Sequence, residues 1–94
     1  RTLWQLLAGP GAVSSFLDAA SSDLRVGYLG WQPAPSGVEK SVMLEAEPAA
    51  AARQLYAGLR ELDQAGLDVI LVEAPPRDQA WAGIRDRLQR ACGP

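Results

Sequence analysis

The stretch "DVILVEAPP", residues 68–76, decides the fold predicted for this chain. Its four consecutive apolar residues, Val69 to Val72, are mostly β-branched, which is typical of a strand buried on both faces of a parallel sheet. Pro75 and Pro76 end that strand, because proline has no amide N–H to donate to a sheet ladder. The stretch therefore predicts an α/β domain with helices packed on a parallel sheet.

The rest of the chain alternates between strand and helix patterns. Further strands are predicted at residues 3–7, 24–31 and 41–45, and amphipathic helical stripes follow Gly9-Pro10-Gly11, Pro48 and Asp78. The side chain of Asp78 is predicted to cap the last helix. Ser21-Ser22-Asp23 is predicted to close the first helix, and residues 32–40 form a proline-containing loop. The order is β-α-β-β-α-β-α. Right-handed crossovers restrict this order to a small Rossmann-like domain of two or three layers, with a mostly parallel sheet of about four strands.

Length and composition limit the function classes. The 94 residues make one domain, and a net charge of −2 disfavours a broad electrostatic grip on nucleic acid. One cysteine and no histidine indicate neither a zinc site nor a Cys-His nucleophile, so no metal site is expected. A cytoplasmic location without membrane association is expected, because no apolar run reaches bilayer length. The first strand begins next to Arg1, so we expect a piece of a longer protein.

The segment Gly9-Pro10-Gly11-Ala12-Val13-Ser14 has the outline of a phosphate-binding loop between a strand and a helix. A dinucleotide fingerprint needs a third glycine, which is absent, and Pro10 removes one amide donor. The segment is interpreted mainly as a strand-to-helix turn. The alternative is a phosphate site that uses Gly9, Gly11 and Ser14.

Charged residues supply three further candidates. Arg60 and Asp63 are i, i+3 neighbours, which form either a solvated ion pair or a charged surface for another domain. The segment "GIRDRLQR", residues 83–90, carries Arg87 and an expected Asp86–Arg90 pair on a polar helix face. This face is either an ordinary charged helix surface or a site for an anion or a carboxylate-rich partner. Glu73 follows the buried strand at the sheet edge where α/β proteins bind ligands, yet it has no second carboxylate or histidine beside it in sequence. No catalytic residue is predicted.

Trp31 and Trp81 are predicted to lie in different environments. Trp81 lies on the apolar face of the last helix and is predicted to be core. Trp31 adjoins the proline loop, where it either packs at the rim of the core or marks a contact surface. The loop from Trp31 to Lys40 would be the natural contact of a structural oligomerisation domain.

The second half of the chain resembles a known family. The helix "LYAGLRELD", residues 55–63, is followed by a strand that ends in Glu73 and by the run "DRLQRA", residues 86–91. This pattern is similar to the C-terminal domain of the Sua5 family, the long-form threonylcarbamoyl-AMP synthases. The match is good over about the last 45 residues. Before them, "RVGYL" in residues 25–29 is similar to the second strand of such domains.

The resemblance implies an accessory role rather than catalysis by this chain. Family members join a YrdC-like catalytic domain, which uses threonine, bicarbonate and ATP with magnesium to make threonylcarbamoyl-AMP for tRNA modification, to a smaller Rossmann-like domain. No cofactor is then expected in residues 1–94. The expected partner is the YrdC-like domain of the same chain, with no direct nucleic-acid binding. The domain would pack on that partner and influence nucleotide handling.

This interpretation places Arg60, Asp63, Glu73 and Arg87 at the docking surface or in local structure. Two alternatives stay open. One is a stand-alone nucleotide- or phosphate-binding module that uses Gly9, Gly11 and Ser14, and the other is the oligomerisation domain.

Overall fold

The structure is a computed structural model that describes residues 2–20, 23–33 and 35–92. Its elements are β1 (Leu3–Leu7), α1 (Pro10–Ala19), β2 (Val26–Gly30), β3 (Lys40–Met43), α2 (Pro48–Asp63), β4 (Val69–Glu73) and α3 (Ala82–Cys92), with a 3₁₀ turn at Gln79–Trp81 before α3. The predicted order β-α-β-β-α-β-α is confirmed. Ser21 and Ser22, predicted to close α1, lie outside the described residues.

The four strands form one parallel sheet in the order β1-β4-β2-β3. β4 is central, with Ile70 opposite Trp4 of β1 and Leu71 opposite Tyr28 of β2. All five residues of β4 are buried, as the apolar run predicted. A strand with neighbours on both edges and helices on both faces has no solvated side, which is why its sequence does not alternate.

Alternate residues of β4 serve two separate cores, so the domain has three layers. Ile70 and Val72 pack with α2 and α3 on one face of the sheet. Leu71 packs on the opposite face with Val13 of α1. The first core comprises Leu29, Leu44, Ala51, Leu55, Leu62, Leu67, Ile70, Val72, Trp81, Ile84 and Leu88, and the second comprises Val13, Val26, Tyr28, Val69 and Leu71. Trp81 is therefore core, as predicted.

The connection from β2 to β3 is unusual, because parallel strands are normally joined through a helix. Here the predicted proline loop makes the crossover. Val38 packs against the α1-side core, so the loop covers part of that face of the sheet. Gly37 has φ +95, a conformation that glycine adopts without the Cβ clash of other residues. The loop therefore contributes to the layer that α1 begins.

The helix ends agree with the predicted boundaries in part. Pro48 opens α2, and the preceding Glu47 accepts hydrogen bonds of 3.0 Å from the amides of Ala49 and Ala50. Gly66, with φ +70, lies in the turn that follows α2. Asp78 was predicted to cap the last helix through its side chain, and this was wrong. Its carbonyl accepts from Trp81 N at 3.0 Å in the 3₁₀ turn, and its side chain forms no capping bond.

Candidate functional site

The carboxyl ends of the parallel strands open into a cavity of about 530 Å³. β1 leads into α1 on one face of the sheet, whereas the neighbouring β4 leads towards α3 on the other face. The loops therefore diverge at this point, which is where open α/β sheets bind ligands. The cavity is lined by Ala8, Gly9, Trp31, Gln32, Ala46, Glu73, Ala74, Pro75, Pro76, Arg77 and Trp81.

Glu73, the last residue of β4, is the one charged residue among the buried residues of the described chain, with 6% of its surface exposed. The Tyr28 hydroxyl donates a hydrogen bond of 2.5 Å to Glu73 Oε1. The amide of Trp31 donates a longer one, 3.4 Å, to the same oxygen. Burial, and then the hydrogen bond to Glu73, raise the pKa of Tyr28 well above its usual range. Tyr28 therefore stays protonated and acts as a donor.

The second oxygen of Glu73 faces a different environment. No described residue donates a hydrogen bond to Oε2, since both donors of the carboxylate end on Oε1. No buried side-chain oxygen in residues 2–20, 23–33 and 35–92 lacks a hydrogen-bond partner. Oε2 is therefore reached by solvent, and the cavity that Glu73 lines provides the access.

Gly30 makes the Tyr28–Glu73 contact sterically possible. A Cβ atom added at Gly30 would lie 2.3 Å from the Tyr28 hydroxyl oxygen and 2.7 Å from Glu73 Oε1. Both distances are below any tolerated contact, so a larger residue would have to displace the pair. The tyrosine ring lies over Gly30 because residues two apart in a strand share one face of the sheet.

Two tryptophans form a wall of the cavity. The rings of Trp31 and Trp81 meet edge to face, with centroids 5.4 Å apart and planes at 88°. Trp31 Nε1 donates to the carbonyl of Glu45 at 2.9 Å, which fixes the indole in place. Trp31 is partly buried, as rim packing predicted, and it also faces the cavity.

The glycine segment contributes one residue to this cavity. Gly9 lines it and precedes α1, whose first turn contains Pro10 and carries no acidic side chain. Gly11 and Ser14 are exposed, and Ser14 lines a separate cavity of about 180 Å³ beside the proline loop. Of the three phosphate-loop candidates, Gly9 therefore lines the same cavity as Glu73, and Ser14 lines a different one.

Arg87 belongs to a second feature, a groove of about 850 Å³ between α2 and α3. Its guanidinium carbon lies 4.8 Å from the centroid of the Tyr56 ring, a cation–π contact. The residues lining this groove are Glu47, Pro48, Ala49, Ala52, Arg53, Leu55, Tyr56, Ala80, Gly83, Ile84 and Arg87. On the same helix, Arg90 pairs with Asp86 at 2.8 Å, which confirms the predicted i, i+4 ion pair.

Arg60 and Asp63 line neither the edge cavity nor the groove between α2 and α3. Both are exposed in the last turns of α2, which runs from the carboxyl edge of the sheet to its amino edge. Within the described ranges the ion pairs are Arg25–Glu39, Lys40–Glu61 and Asp86–Arg90, so Arg60 and Asp63 form no pair with each other. The structure thus distributes the four predicted positions over three places: the edge cavity, the helix groove and the end of α2.

Tyr28, the partner of Glu73, was not among the residues predicted for the site. The two residues are 45 positions apart and meet only because β2 lies beside β4. The sequence signal for this contact was a tyrosine two residues before a glycine in a buried strand, since the two residues share one face of the sheet. Over the part of the chain that the structure describes, no three His, Cys, Asp or Glu side chains gather where they could hold a metal ion.

Fold and site together define a small three-layer α/β domain with a buried carboxylate at the carboxyl edge of its sheet. Residues 5–93 match the family described as "Threonylcarbamoyl-AMP synthase, C-terminal domain". The chain belongs to this family, and the resemblance drawn from residues 55–91 is confirmed. The comparison with curated proteins gave no match.

A solved structure shares the fold. The solved chain is a doubly substituted variant of P. abyssi Sua5, and it is similar to this domain with a TM-score of 0.80 at 22% sequence identity. The similarity covers 97% of this chain and 28% of that one, so the domain spans under a third of the length of the solved chain.

Membrane insertion through a helix finds no support in the described residues, since none of their helices is both long and apolar enough to cross a bilayer.

Proposed function

We propose that this chain is the accessory domain of an L-threonylcarbamoyladenylate synthase, non-catalytic by itself, and that it docks on a YrdC-like catalytic domain. The family match over residues 5–93 carries the proposal. The chemistry of the described residues agrees with it, because Glu73 is a lone carboxylate held by a protonated tyrosine. General acid–base catalysis usually requires a group that can exchange a proton with substrate and a partner that tunes it.

The groove between α2 and α3 is the proposed docking surface for the catalytic domain. Its walls are mainly small and apolar, and Arg53 and Arg87 supply positive charge at the same place. Tyr56 is 63% exposed although it is a large aromatic residue, and its ring supports the guanidinium of Arg87. Exposed tyrosine and arginine side chains are the types enriched at protein interfaces.

The nucleotide and magnesium belong to the catalytic domain in this proposal. Among the described residues, no three His, Cys, Asp or Glu side chains lie where they could hold a metal ion. This domain would influence nucleotide handling through the position it gives the catalytic domain. The chemistry itself would take place on threonine, bicarbonate and ATP outside residues 1–94.

Charge reversal tests the docking surface in a longer protein that joins this chain to a YrdC-like domain. Arg87→Glu and Arg53→Glu, two substitutions in the lining of the groove, should each lower the rate of threonylcarbamoyl-AMP formation while the unfolding midpoint of the domain stays unchanged. Arg90→Glu is the matched control, because Arg90 lies on the same helix as Arg87 but does not line the groove. Unchanged turnover in both test variants would rule out docking through these residues.

A stand-alone phosphate-binding module is the second candidate. The observation that favours it is the first turn of α1, which has no acidic residue and no side-chain cap to occupy its amides. Titration of the 94-residue chain with AMP separates the two candidates. Saturable binding that is lost in Gly11→Pro would favour the module, and the absence of binding favours the accessory domain.

A further inference from the structure

We propose that the cavity at the carboxyl edge of the sheet is a binding site for a cation carried on an apolar stem, a guanidinium group above all. The Oε2 atom of Glu73 would receive it. This site is separate from the groove proposed for docking, and its test does not depend on any catalytic activity of a longer protein.

The Glu73 carboxyl group has no charged partner among the described residues. Glu73 is 6% exposed, and the two donors to its carboxyl group, Tyr28 and the amide of Trp31, are both neutral. A buried charge without an opposite charge is unfavourable, so a cation that reaches Oε2 gains a strong, charge-assisted hydrogen bond.

No cation of the chain fills this role in the part that the structure describes. Arg77 lies on the rim of the cavity, but it is exposed and forms no ion pair with Glu73. Arg85, the next arginine along the chain, donates instead to the carbonyl of Pro76 at 2.9 Å. The space in front of Oε2 is therefore left to a group from outside these residues.

The walls of the cavity argue for a planar cation on an apolar stem. Trp31 and Trp81 present indole rings, and Pro75 is a buried apolar neighbour of Glu73. A guanidinium group is weakly hydrated, stacks on aromatic rings and matches the planar geometry of a carboxylate. A volume of about 530 Å³ lies within the range of small-ligand sites and also accommodates an arginine side chain.

A pair of probes of equal shape tests the proposal on the 94-residue chain. n-Butylguanidinium should bind saturably, as measured by calorimetry and by the fluorescence of the cavity tryptophans. The neutral n-butylurea should bind more weakly by a factor of about ten or more. Glu73→Gln keeps the shape and an acceptor for Tyr28, and it should weaken guanidinium binding by about tenfold. Glu45→Gln is the control for general electrostatic attraction, since Glu45 is exposed near the same edge.

The source of the cation is settled by repeating the titration on a longer protein that contains this chain. Binding of the probe to both proteins indicates a free small molecule as the natural ligand. Binding to the 94-residue chain alone indicates that an arginine or lysine side chain of the adjoining polypeptide occupies the cavity. Equal binding of the urea, equal binding to the Glu73→Gln variant, or no saturable binding of the guanidinium to the 94-residue chain would each overturn the proposal.

Discussion

The Tyr28 hydroxyl and the Glu73 carboxylate form a hydrogen bond of 2.5 Å that joins the two central strands at their carboxyl ends. Both residues are buried, and Gly30 leaves the space that the contact needs. The amide of Gln32 donates to the same tyrosine oxygen at 3.2 Å, which ties the start of the proline loop to the pair. This bond therefore links the sheet, the cavity and the crossover loop.

Removal of the tyrosine hydroxyl should destabilise the domain. Tyr28→Phe keeps the ring in the core but leaves Glu73 Oε1 with only the long bond from Trp31, so the free energy of unfolding should fall by about 1–3 kcal/mol. Urea denaturation of the 94-residue chain measures the change. Tyr56→Phe is the control, because Tyr56 is 63% exposed and should change stability by less than about 0.5 kcal/mol. Equal effects of the two substitutions would contradict a structural role for the hydroxyl.

A methyl group at Gly30 should be costly, although the backbone there is ordinary extended strand. Gly30→Ala places a Cβ atom within 2.7 Å of both members of the Tyr28–Glu73 pair, and overpacking of this kind costs roughly 1–3 kcal/mol. Gly83→Ala is the matched control, because a Cβ atom at that α3 position meets nothing within 4 Å. Alanine in a helix should raise stability there by roughly 0.5–1 kcal/mol. Thermal unfolding of both variants should show shifts of opposite sign, and shifts of the same sign would argue against the packing seen at Gly30.

High pH should weaken the fold through Tyr28. The pKa of Tyr28 is raised in the folded state, so above about pH 10, the ordinary tyrosine value, the unfolded chain loses a proton that the folded chain retains. The unfolded state then binds fewer protons, and the free energy of unfolding falls as the pH rises. Unfolding measured from neutral to strongly alkaline pH should show this decline in the wild type and a shallower one in Tyr28→Phe. Identical slopes would mean that Tyr28 ionises equally in both states.

The sheet could be predicted from the sequence because its central strand carries an unambiguous signal. Val69 to Val72 are all apolar, and their burial on both faces followed from that fact alone. The number of layers was harder to predict from the sequence, because the β2–β3 crossover contains no helix. The packing of this crossover on the sheet depends on Val38, an apolar loop residue. The order of the strands in the sheet could not be predicted, because the sequence of Leu3–Leu7 does not indicate whether β4 or β2 lies beside β1.

Only the acidic residue of the candidate site, Glu73, could be predicted from the sequence. Glu73 could be placed at the carboxyl edge because it directly follows a buried strand. Its partner Tyr28 and the Trp31–Trp81 wall depend on contacts between residues at least 45 positions apart, which local patterns do not encode. The interpretation of Asp78 failed for a local reason: a 3₁₀ turn intervenes before α3, so the side chain does not reach the helix amides.

The most direct test of the accessory role is the rate of threonylcarbamoyl-AMP formation from threonine, bicarbonate and ATP. It is measured on a longer protein that joins this chain to a YrdC-like domain, and on the same protein without residues 1–94. The account predicts a lower rate without the domain and a partial recovery when the 94-residue chain is added separately. Equal rates with and without residues 1–94 would contradict it.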